Sequence, residues 1–349
     1  MTMTPSTARK TAARAHPTVL DVAKRAGVSR GTVSKAMNDT GQLRPETRRR
    51  VLAAAAELGF EPNLQARSLT SGRTFTVGLL TSDSIGRFSI PILQGVEDAL
   101  GADSISVFLC DARGDTERER KYVRTLLNRR VDGIVVTARK TDVRPSIGSL
   151  PVPVVYAYAQ SDRPQDRAVI SDDVQAGRLA VGHLLAGCRR RIAYVAGPVR
   201  MLAVRQREAG ARAALKEAGL DLPAGLARYG PWSEEWGREA ATGLIGEIRA
   251  GAVDAVFCAS DEIGRGVADG LRDAGVRVPD DAALVGVDNW RPLATSCRPP
   301  LTTVDLQLEQ IGRVAAQELL ARIAGGTATG ARLLPGRLVV RASSARTAR

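Results

Sequence analysis

Residues 18–38 have the sequence TVLDVAKRAGVSRGTVSKAMN, a pattern typical of two short helices separated by a glycine turn. Thr18 can cap the first helix, and Asp21 can reach back to that cap as its acidic partner. Gly27 suits the turn because a left-handed backbone costs glycine little. Ser29 has a side chain suited to cap the second helix. The spacing therefore predicts two helices joined by a tight turn.

The predicted second helix has one polar and one apolar face, because successive residues are rotated by about 100°. The polar face contains Arg30, Gly31, Ser34, Lys35 and Asn38, and the apolar face contains Val33, Ala36 and Met37. This arrangement is typical of a helix-turn-helix whose second helix enters the DNA major groove. A small helical hairpin with a solvated basic face has the same pattern and remains an alternative.

Charge is unevenly distributed along the chain. The 349 residues have a formal net charge of +13. Residues 1–73 contain 13 Lys and Arg against 5 Asp and Glu, whereas the remaining 276 residues contain 37 against 32. A basic end beside a nearly neutral body favours a polyanionic partner, with nucleic acid ahead of a membrane.

The composition also limits location and cofactors. The sequence contains no run of about 18 apolar residues, so no membrane span is predicted. Residues 1–17 lack the apolar stretch of a secretory signal and are predicted as a disordered basic arm that either touches phosphates or has no role. The thiols Cys110, Cys188, Cys258 and Cys297 form no CxxC pair, and His16 and His183 are far apart. We therefore expect a cytoplasmic protein without zinc, disulfides or a cofactor.

A third helix follows the helical pair. Pro45 fits its first turn and Gly59 marks its end. Three helices within residues 18–62 predict a compact, all-α DNA-binding head. Residues 63–73, NLQARSLTSGR, are too few for a stable isolated helix. They are either a plain linker or a hinge that folds on DNA, pairs with its twin in a dimer and inserts Leu69 into the minor groove.

From residue 74 onward, short apolar strands alternate with helices, which is typical of a parallel α/β sheet. Strands are predicted over residues 75–80, 105–109, 133–137, 153–157, 191–196, 255–259 and 283–287. Helices are predicted over residues 92–100, 115–129, 174–186, 205–218, 236–250, 263–274 and 306–323. Two α/β lobes of this kind can form a cleft for a small molecule.

With these features the chain resembles the lactose-repressor (LacI/GalR) family of bacterial transcription regulators, from about residue 18 to residue 343. The matching pieces are LDVAKRAGVSRGTVSKAMN, TRRRVLAAAAELGFEPNLQARSLTSGRTFTVGLL, RRVDGIVV, HLLAGCRRRIAYVAGP and PPLTTV. The resemblance implies a homodimer or tetramer bound to a pseudo-palindromic operator. It also implies a core like periplasmic sugar-binding proteins, with two lobes joined by three crossings and a small ligand between them.

The resemblance further implies a division of the chain. The expected segments are the core 74–343, with lobe 1 at about 74–172 and 303–325 and lobe 2 at about 173–302 and 333–343, and a tail 344–349. The fold class expected is a small all-α helix-turn-helix head plus an α/β two-lobed core like that of periplasmic binding proteins. The C-terminal sequence SSARTAR shows no leucine heptad, which favours a dimer.

Several positions of the head match DNA contacts of the family. The resemblance implies DNA contacts at Ser29, Arg30, Gly31, Thr32, Ser34 and Lys35, and at Asn63, Ala66 and Leu69 in the hinge. Arg30 and Gly31 occupy the two main specificity positions. The Arg30 guanidinium can bind a guanine through two hydrogen bonds, worth about 1–3 kcal/mol of discrimination. Gly31 has no side chain for this task, and Thr32 and Ser34 are expected to bind phosphates.

In the core, Arg205, Trp232, Asp261 and Asp288 match positions that line the family's effector cleft. Their chemistry fits a polyol: arginine donates to hydroxyl oxygens, carboxylates accept from hydroxyls, and an indole stacks on a sugar face. Alternatives remain at these positions. Arg205 and Asp261 can form a structural ion pair, and Trp232 can be an ordinary core residue.

The segment between Asp83 and Gly95 departs from the family pattern. It contains Gly86, Arg87 and Phe88 where the family usually has Asn-Pro-Phe. Arg87 and Phe88 are expected at the cleft. From this additional cation we hypothesise that Arg87 selects an anionic ligand, such as a phosphorylated or acidic sugar.

Taken together, these patterns predict a DNA-binding repressor whose operator affinity is controlled by a small metabolite, and the expected class of metabolite is a sugar or sugar derivative. A sugar-binding module without DNA activity is the alternative, and the basic head argues against it. An enzyme is not indicated, because there is no GxxxxGK phosphate loop, no GxSxG elbow and no metal-ligand cluster. Gly264, Gly266 and Gly270 lie inside a predicted helix, so they are a weak dinucleotide signal.

Overall fold

The computed structural model describes residues 17–37, 41–60, 72–101 and 105–345. These residues belong to two units, Met1–Thr74 and Phe75–Arg349, which we call the head and the core. Three sets of predictions lie outside the described residues: almost all of the arm, the hinge positions Asn63, Ala66 and Leu69, and the end of the tail.

The head contains the three predicted helices, α1 (Val19–Ala26), α2 (Arg30–Met37) and α3 (Pro45–Leu58). Their ends follow from the capping residues. The backbone N–H and the hydroxyl of Thr18 both donate to Asp21 Oδ2, at 2.8 and 2.7 Å. Gly27 and Gly59 follow α1 and α3 with φ values of 64° and 62°. The predicted turn chemistry of the head is thereby confirmed.

One apolar cluster packs the three head helices together. Val22, Val33 and Val51, one from each helix, are fully buried. Ala36 is buried beside them and Met37 packs against the cluster. Because these side chains occupy the predicted apolar face of α2, the opposite, polar face of that helix is exposed.

Within the described residues, the core contains two six-stranded sheets and one two-stranded pair. In spatial order, the first sheet is β13 (Gly330–Leu334), β7 (Arg167–Ser171), β5 (Val154–Ala157), β3 (Gly133–Thr137), β1 (Thr76–Thr81) and β2 (Ser106–Asp111). The second is β14 (Arg337–Val339), β12 (Thr302–Asp305), β11 (Ala283–Val287), β10 (Ala255–Cys258), β8 (Ile192–Ala196) and β9 (Ala227–Tyr229). The short pair is β4 (Val143–Arg144) with β6 (Gln160–Ser161). All pairings are parallel except β12 with β14.

Helices cover the sheets. They are α4 (Ser89–Gly101), α5 (Thr116–Asn128), α6 (Asp173–Ala186), α7 (Leu202–Glu217), α8 (Glu234–Arg249), α9 (Asp261–Asp273), α10 (Arg291–Ala294) and α11 (Leu308–Ile323), with a 3₁₀ turn at Ala224–Leu226. The predicted alternation of strands and helices is confirmed. Strands β4, β6, β7, β9, β12, β13 and β14 were not predicted, because they are short or lie at or near a sheet edge. In the described part of the chain, no helix is long and apolar enough to cross a bilayer.

The two large sheets define two lobes, and the chain crosses between them after β7, after β12 and after β13. Two crossings differ from the expected positions. Because β12 pairs with β11, the second crossing follows Asp305, whereas lobe 1 was expected to resume at residue 303. Because β13 pairs with β7, lobe 1 extends to Leu334, whereas it was expected to end at residue 325.

Glycines set the spacing of three helix pairs in the core. An added Cβ on Gly177 of α6 would overlap the Arg207 carbonyl of α7, and one on Gly210 of α7 would overlap the Val174 carbonyl of α6. The same reciprocal relation joins Gly95 with Gly312, in α4 and α11, and Gly237 with Gly266, in α8 and α9. Only glycine permits backbones to approach this closely. The glycines of α9 therefore include a helix-packing position, not a nucleotide loop.

Candidate functional site

The surface of the head that the sequence predicts to face DNA is the polar side of α2 and its cap. Ser29 Oγ accepts a hydrogen bond from the Thr32 N–H at 3.2 Å and lies 3.0 Å from the Thr32 hydroxyl, which defines the start of the helix. Four of the expected contact side chains and one glycine are exposed here: Ser29, Arg30, Ser34, Lys35 and Gly31. Thr32 is half-buried. A rigid, capped helix with an exposed basic face has the shape and charge that a major groove accepts.

The core has a cleft at the carboxyl ends of its parallel strands, as expected for an open α/β sheet. A cavity of about 310 Å³ lies there. Its lining residues follow β1, β3 and β5 of the first lobe and β8, β9, β10 and β11 of the second. The volume suits a small ligand. Four expected effector residues line this cavity: Arg87, Phe88, Trp232 and Asp288.

Arg205 does not line the cavity, contrary to expectation; it is exposed on α7. Arg207 occupies the cleft instead, with a side chain that is 3% exposed. Its Nε donates to Asp173 Oδ1 at 2.8 Å, and its Nη1 donates to the Ala259 carbonyl at 2.5 Å. Its Nη2 lies 4.0 Å from Asp288 Oδ1. One face of this guanidinium is therefore anchored while the residue borders the cavity.

The helical period explains the difference between the two arginines. Val204, Arg207 and Ala211 are buried on one face of α7, and Arg205 lies about 100° away from Val204 around the helix. Burial by itself lowers the pKa of Arg207, but the charges of Asp173 and Asp288 raise that pKa above its ordinary value. Arg207 is thus a permanent cation in the cleft. Arg207 lies on the apolar face of the helix with Val204 and Ala211, and this position in the sequence could have indicated that Arg207 is buried.

Asp261 is buried behind the cleft wall and does not line the cavity, contrary to expectation. It is also not paired with Arg205. Its Oδ2 accepts a hydrogen bond from the Trp290 N–H at 2.7 Å, and its Oδ1 accepts one from the Thr303 hydroxyl at 2.5 Å. Burial and the nearby charge of Asp288 raise the pKa of Asp261 above its usual range. This carboxyl group positions the loop that presents Asp288 and Trp290.

Arg87 spans the cleft from the first lobe to the second. Its guanidinium donates to Glu262 Oε2 at 3.0 Å and also to Asp288 Oδ2. Its Cζ lies 4.6 Å from the centroid of the Trp290 ring and 5.0 Å from that of Phe88. Two carboxylates therefore compensate its charge. Arg87 is therefore not the unpaired cation that our hypothesis of an anion-selecting residue required.

Asp83 and Tyr158 are among the cleft residues that the sequence did not predict as effector contacts. Asp83 is buried, and its Oδ2 accepts hydrogen bonds from the Phe88 and Ser89 N–H groups at 2.7 and 3.0 Å, which orders the loop before α4. Tyr158 stacks on Phe88 with ring centroids 5.2 Å apart and planes inclined by 13°. Both follow strand ends, at β1 and β5, where cleft residues of such sheets collect.

Gly197 leaves the space that allows Trp232 to border the cleft. Trp232 is half-buried and borders the cavity. A Cβ added to Gly197, which follows β8, would overlap the Trp232 ring. The absence of that atom lets the indole lie against the backbone at the end of β8, with its other side toward the ligand space. The alternative that Trp232 is an ordinary core residue does not fit this position.

Comparison with known proteins agrees with this geometry. Residues 18–63 match the family described as bacterial regulatory proteins, lacI family, and residues 181–344 match the periplasmic binding protein-like domain. The HTH-type transcriptional regulator CelR of Thermobifida fusca is 37% identical over 340 residues, covering 95% of this chain and 99% of CelR. The ribose operon repressor of Escherichia coli (strain K12) is 32% identical over 322 residues, covering 90% and 96%.

Solved structures give the same result. A lac repressor dimer bound to operator and the anti-inducer ONPF is similar with a TM-score of 0.68 and 28% identity, covering 94% of this chain and 99% of the repressor. A CelR–cellobiose complex is similar with a TM-score of 0.64 and 35% identity, with the same coverage. The similarity in sequence and in fold extends over nearly the whole chain, and so it covers both the head and the core. The chain therefore belongs to the lacI family of bacterial regulatory proteins and is a DNA-binding regulator of transcription.

Proposed function

We propose that this regulator is a repressor that binds a pseudo-palindromic operator as a homodimer, and that a carbohydrate in the core cleft changes its operator affinity. The main supporting observation is the cleft itself. Side chains from both lobes surround a cavity of about 310 Å³, in the same chain as an exposed, capped recognition helix. The cellobiose complex of CelR supports a carbohydrate as the class of ligand.

The cleft chemistry suits a polyol. Arg207 offers guanidinium donors, and Asp83 and Asp288 offer acceptors for hydroxyl groups. Trp232 and Trp290 offer ring faces on which the apolar side of a sugar can stack. The buried cations Arg87 and Arg207 are each paired with carboxylates, so the ring of a neutral sugar meets hydrogen-bonding groups without facing an unpaired buried charge.

On the DNA side, we assign base contact to Arg30 and phosphate contacts to Ser29, Ser34 and Lys35. Arg30 is exposed beside Gly31, and a guanidinium fork fits the O6 and N7 atoms of guanine. The hinge assignments at Asn63, Ala66 and Leu69 stay predictions from the resemblance.

Ligand and DNA are coupled through the arrangement of the two lobes. A ligand that contacts both lobes binds one arrangement more tightly than another, and operator affinity changes by the ratio of those affinities. Arg87 of the first lobe forms ion pairs with Glu262 and Asp288 of the second. A sugar that enters the cleft therefore replaces or rearranges contacts that set the lobe arrangement.

A surface of the first lobe supports the homodimer. Ile90 of α4 and Phe108 and Leu109 of the edge strand β2 are large apolar side chains that are each about 43% exposed. We assign this surface to contact with a second copy, since exposed apolar side chains on a sheet edge favour pairing.

The operator proposal is tested by fluorescence anisotropy of the full chain with DNA from upstream of its own gene, at two salt concentrations. We expect specific binding at least about 10³-fold tighter than binding to unrelated DNA. Arg30→Ala should reduce that ratio by about tenfold, because one guanine contact is lost. Arg190→Ala, in the core, should leave it unchanged. Uniform weak binding that disappears with salt would refute the operator proposal.

A further inference from the structure

A second cavity, which we call the outer groove, adjoins the cleft. Its volume is about 970 Å³. Its walls follow β1, β2 and β3 of the first lobe and β8 and β9 of the second, so it lies toward the β2 and β9 edges of the two sheets. Four residues line both cavities: Arg139, Lys140, Met201 and Trp232. The two cavities therefore adjoin along these four residues.

The outer groove is strongly cationic. Its basic lining residues are Arg113, Arg120, Arg124, Arg139, Lys140, Arg144 and Arg200, against the acidic residues Asp115, Glu119 and Asp142. The helix α5 forms one wall and the segment 198–201 forms another. A concave surface with one dominant sign of charge concentrates counter-ions of the opposite sign.

The three acids of the outer groove are already engaged. Asp115 Oδ1 accepts hydrogen bonds from the Glu117 and Arg118 N–H groups at the start of α5, at 2.8 and 3.0 Å. Glu119 binds Arg144 with both carboxylate oxygens, at 2.6 and 2.7 Å. Asp142 accepts a hydrogen bond from a backbone N–H of the second lobe at 2.8 Å. None of these contacts involves Arg124, Arg139 or Arg200, and seven basic residues face three acids in the groove lining.

Three arginines of the outer groove are left without an acidic partner. Among the described residues, Arg124, Arg139 and Arg200 have no carboxylate oxygen within 4.0 Å and no side-chain hydrogen bond, and all three are exposed. Arg124 and Arg139 belong to the first lobe and Arg200 to the second. In the interior of the cleft, Arg87 and Arg207 are instead each paired with carboxylates, and Arg139 lies where the two cavities adjoin. The cleft thus favours a neutral ligand group, and the outer groove favours an anionic one.

We propose that the effector is an anionic carbohydrate of at least two sugar units. A neutral ring lies in the cleft, and a phosphate ester or carboxylate on a further unit binds Arg124, Arg139 and Arg200 in the outer groove. Arginine suits both anions because its planar fork donates two parallel hydrogen bonds. This inference rests on the proposed sugar site. It also gives the anion a role in coupling, since it joins arginines of both lobes.

The anion site is tested first without any sugar. The groove variant contains Arg124→Gln, Arg139→Gln and Arg200→Gln. The matched control contains Arg118→Gln, Arg190→Gln and Arg298→Gln, which remove the same charge from exposed positions outside both cavities. Inorganic pyrophosphate is titrated into both variants and the unmodified full chain by calorimetry at constant ionic strength. Binding to the head contributes equally in all three proteins.

We expect pyrophosphate to bind the groove variant about tenfold more weakly than it binds the other two proteins. Equal affinity in all three would overturn the outer groove as an anion site. Thermal unfolding of each variant, without ligand, verifies that the substitutions leave the core folded. Exposed arginines without partners contribute little to stability, so all three midpoints should agree.

The second titration uses cellobiose, cellobiose 6′-phosphate and cellobiouronic acid. We expect at least one anionic sugar to bind the unmodified chain and the control about tenfold more tightly than cellobiose, with no such gain in the groove variant. The better of the two anions identifies phosphate or carboxylate as the natural group. Equal affinities for the three sugars would overturn the inference, and so would a lack of detectable binding by all three. Operator binding by anisotropy tests the proposed function separately, because none of these substitutions lies in the head.

Discussion

At the scale of single residues, Asp261 shows how a buried carboxyl group can order a binding site from behind. It receives hydrogen bonds from the Trp290 N–H and the Thr303 hydroxyl and lies near the charge of Asp288. Burial raises the pKa of Asp261, so the folded protein holds a proton there at pH values where the unfolded chain has lost it. A titratable group that does not itself border the cavity therefore supports the wall of the cleft.

Asp261→Asn is expected to change how stability depends on pH. A folded-state pKa above the unfolded value of about 3.9 gives the unmodified protein a stabilisation that is complete below that value and is lost as pH rises through the folded-state pKa. Asn does not titrate. The stability of the variant relative to the unmodified protein should therefore improve by at least about 1 kcal/mol from about pH 5 to about pH 9. Urea unfolding at both pH values measures this, and a constant difference would contradict the raised pKa.

At the scale of secondary-structure elements, the recognition helix α2 depends on one side chain for its start. Ser29 Oγ accepts the Thr32 N–H at 3.2 Å, in addition to the 3.0 Å bond that the same N–H donates to the Ser29 carbonyl, and so supports the first turn. The helix has only eight residues, so its first turn is a large part of the surface offered to DNA. Loss of the cap frays the turn that carries Arg30.

Ser29→Ala should destabilise the head by about 1 kcal/mol and weaken operator binding. Ser29→Asp is the matched variant. It keeps a capping oxygen and so should retain stability, but its charge should repel DNA phosphates and weaken operator binding. Thermal unfolding and anisotropy together separate the two effects. If Ser29→Ala unfolds like the unmodified head, then the cap is not what orders α2.

The helix pair α6 and α7 is the second case at this scale. Gly177 and Gly210 bring the two backbones together, and the carbonyl that faces Gly177 belongs to Arg207. The cleft arginine is therefore held at a helix crossing as well as by its ion pair with Asp173. Packing between elements, and not only hydrogen bonding, sets the position of its guanidinium.

Gly177→Ala should destabilise the core by about 3 kcal/mol or more, because the added methyl overlaps the Arg207 backbone and the helices must separate. Gly182→Ala on the same helix is the matched control. No atom lies within 4 Å of its Cβ position, so alanine should stabilise by about 0.5–1 kcal/mol through its higher helix propensity. Urea unfolding compares the two variants. Similar midpoints would contradict the close crossing.

At the scale of the whole core, a chain of charges joins the lobes across the cleft. Arg87 donates to Glu262 and Asp288, and Arg207 is held by Asp173 and lies close to Asp288. Asp288 is thus shared by a guanidinium from each lobe. It also has a φ of 112°, which is unusual for a residue with a side chain and stores strain of the kind found at functional sites.

Arg87→Ala should open the ligand-free cleft, because Glu262 and Asp288 lose their counter-charge and Trp290 loses the guanidinium stacked on it. Quenching of tryptophan fluorescence by acrylamide should therefore increase. Arg139→Ala, which removes an arginine of the same cavity that bridges nothing, should leave quenching unchanged. Equal quenching in both variants would mean that Arg87 does not hold the lobes together.

Much of this protein was determined by local sequence. Thr18, Gly27 and Ser29 define the head helices through bonds to residues within three or four positions, so their effect can be predicted without a fold. The alternation of strands and helices follows from local periodicity in the same way. Arg87, Phe88, Trp232 and Asp288 were found at the cleft because they follow strands or match positions of the family.

The tertiary structure alone decided what these residues touch. Arg87 and Asp288 are 201 positions apart in the chain, and no local pattern pairs them. The choice of Arg207 over Arg205 depended on which face of α7 is buried, and the burial of Asp261 depended on Thr303, 42 positions away. The crossings after Asp305 and Leu334 likewise depended on which strands pair. Sequence sets the local conformation of each segment, whereas charge compensation and burial arise only when distant segments pack together.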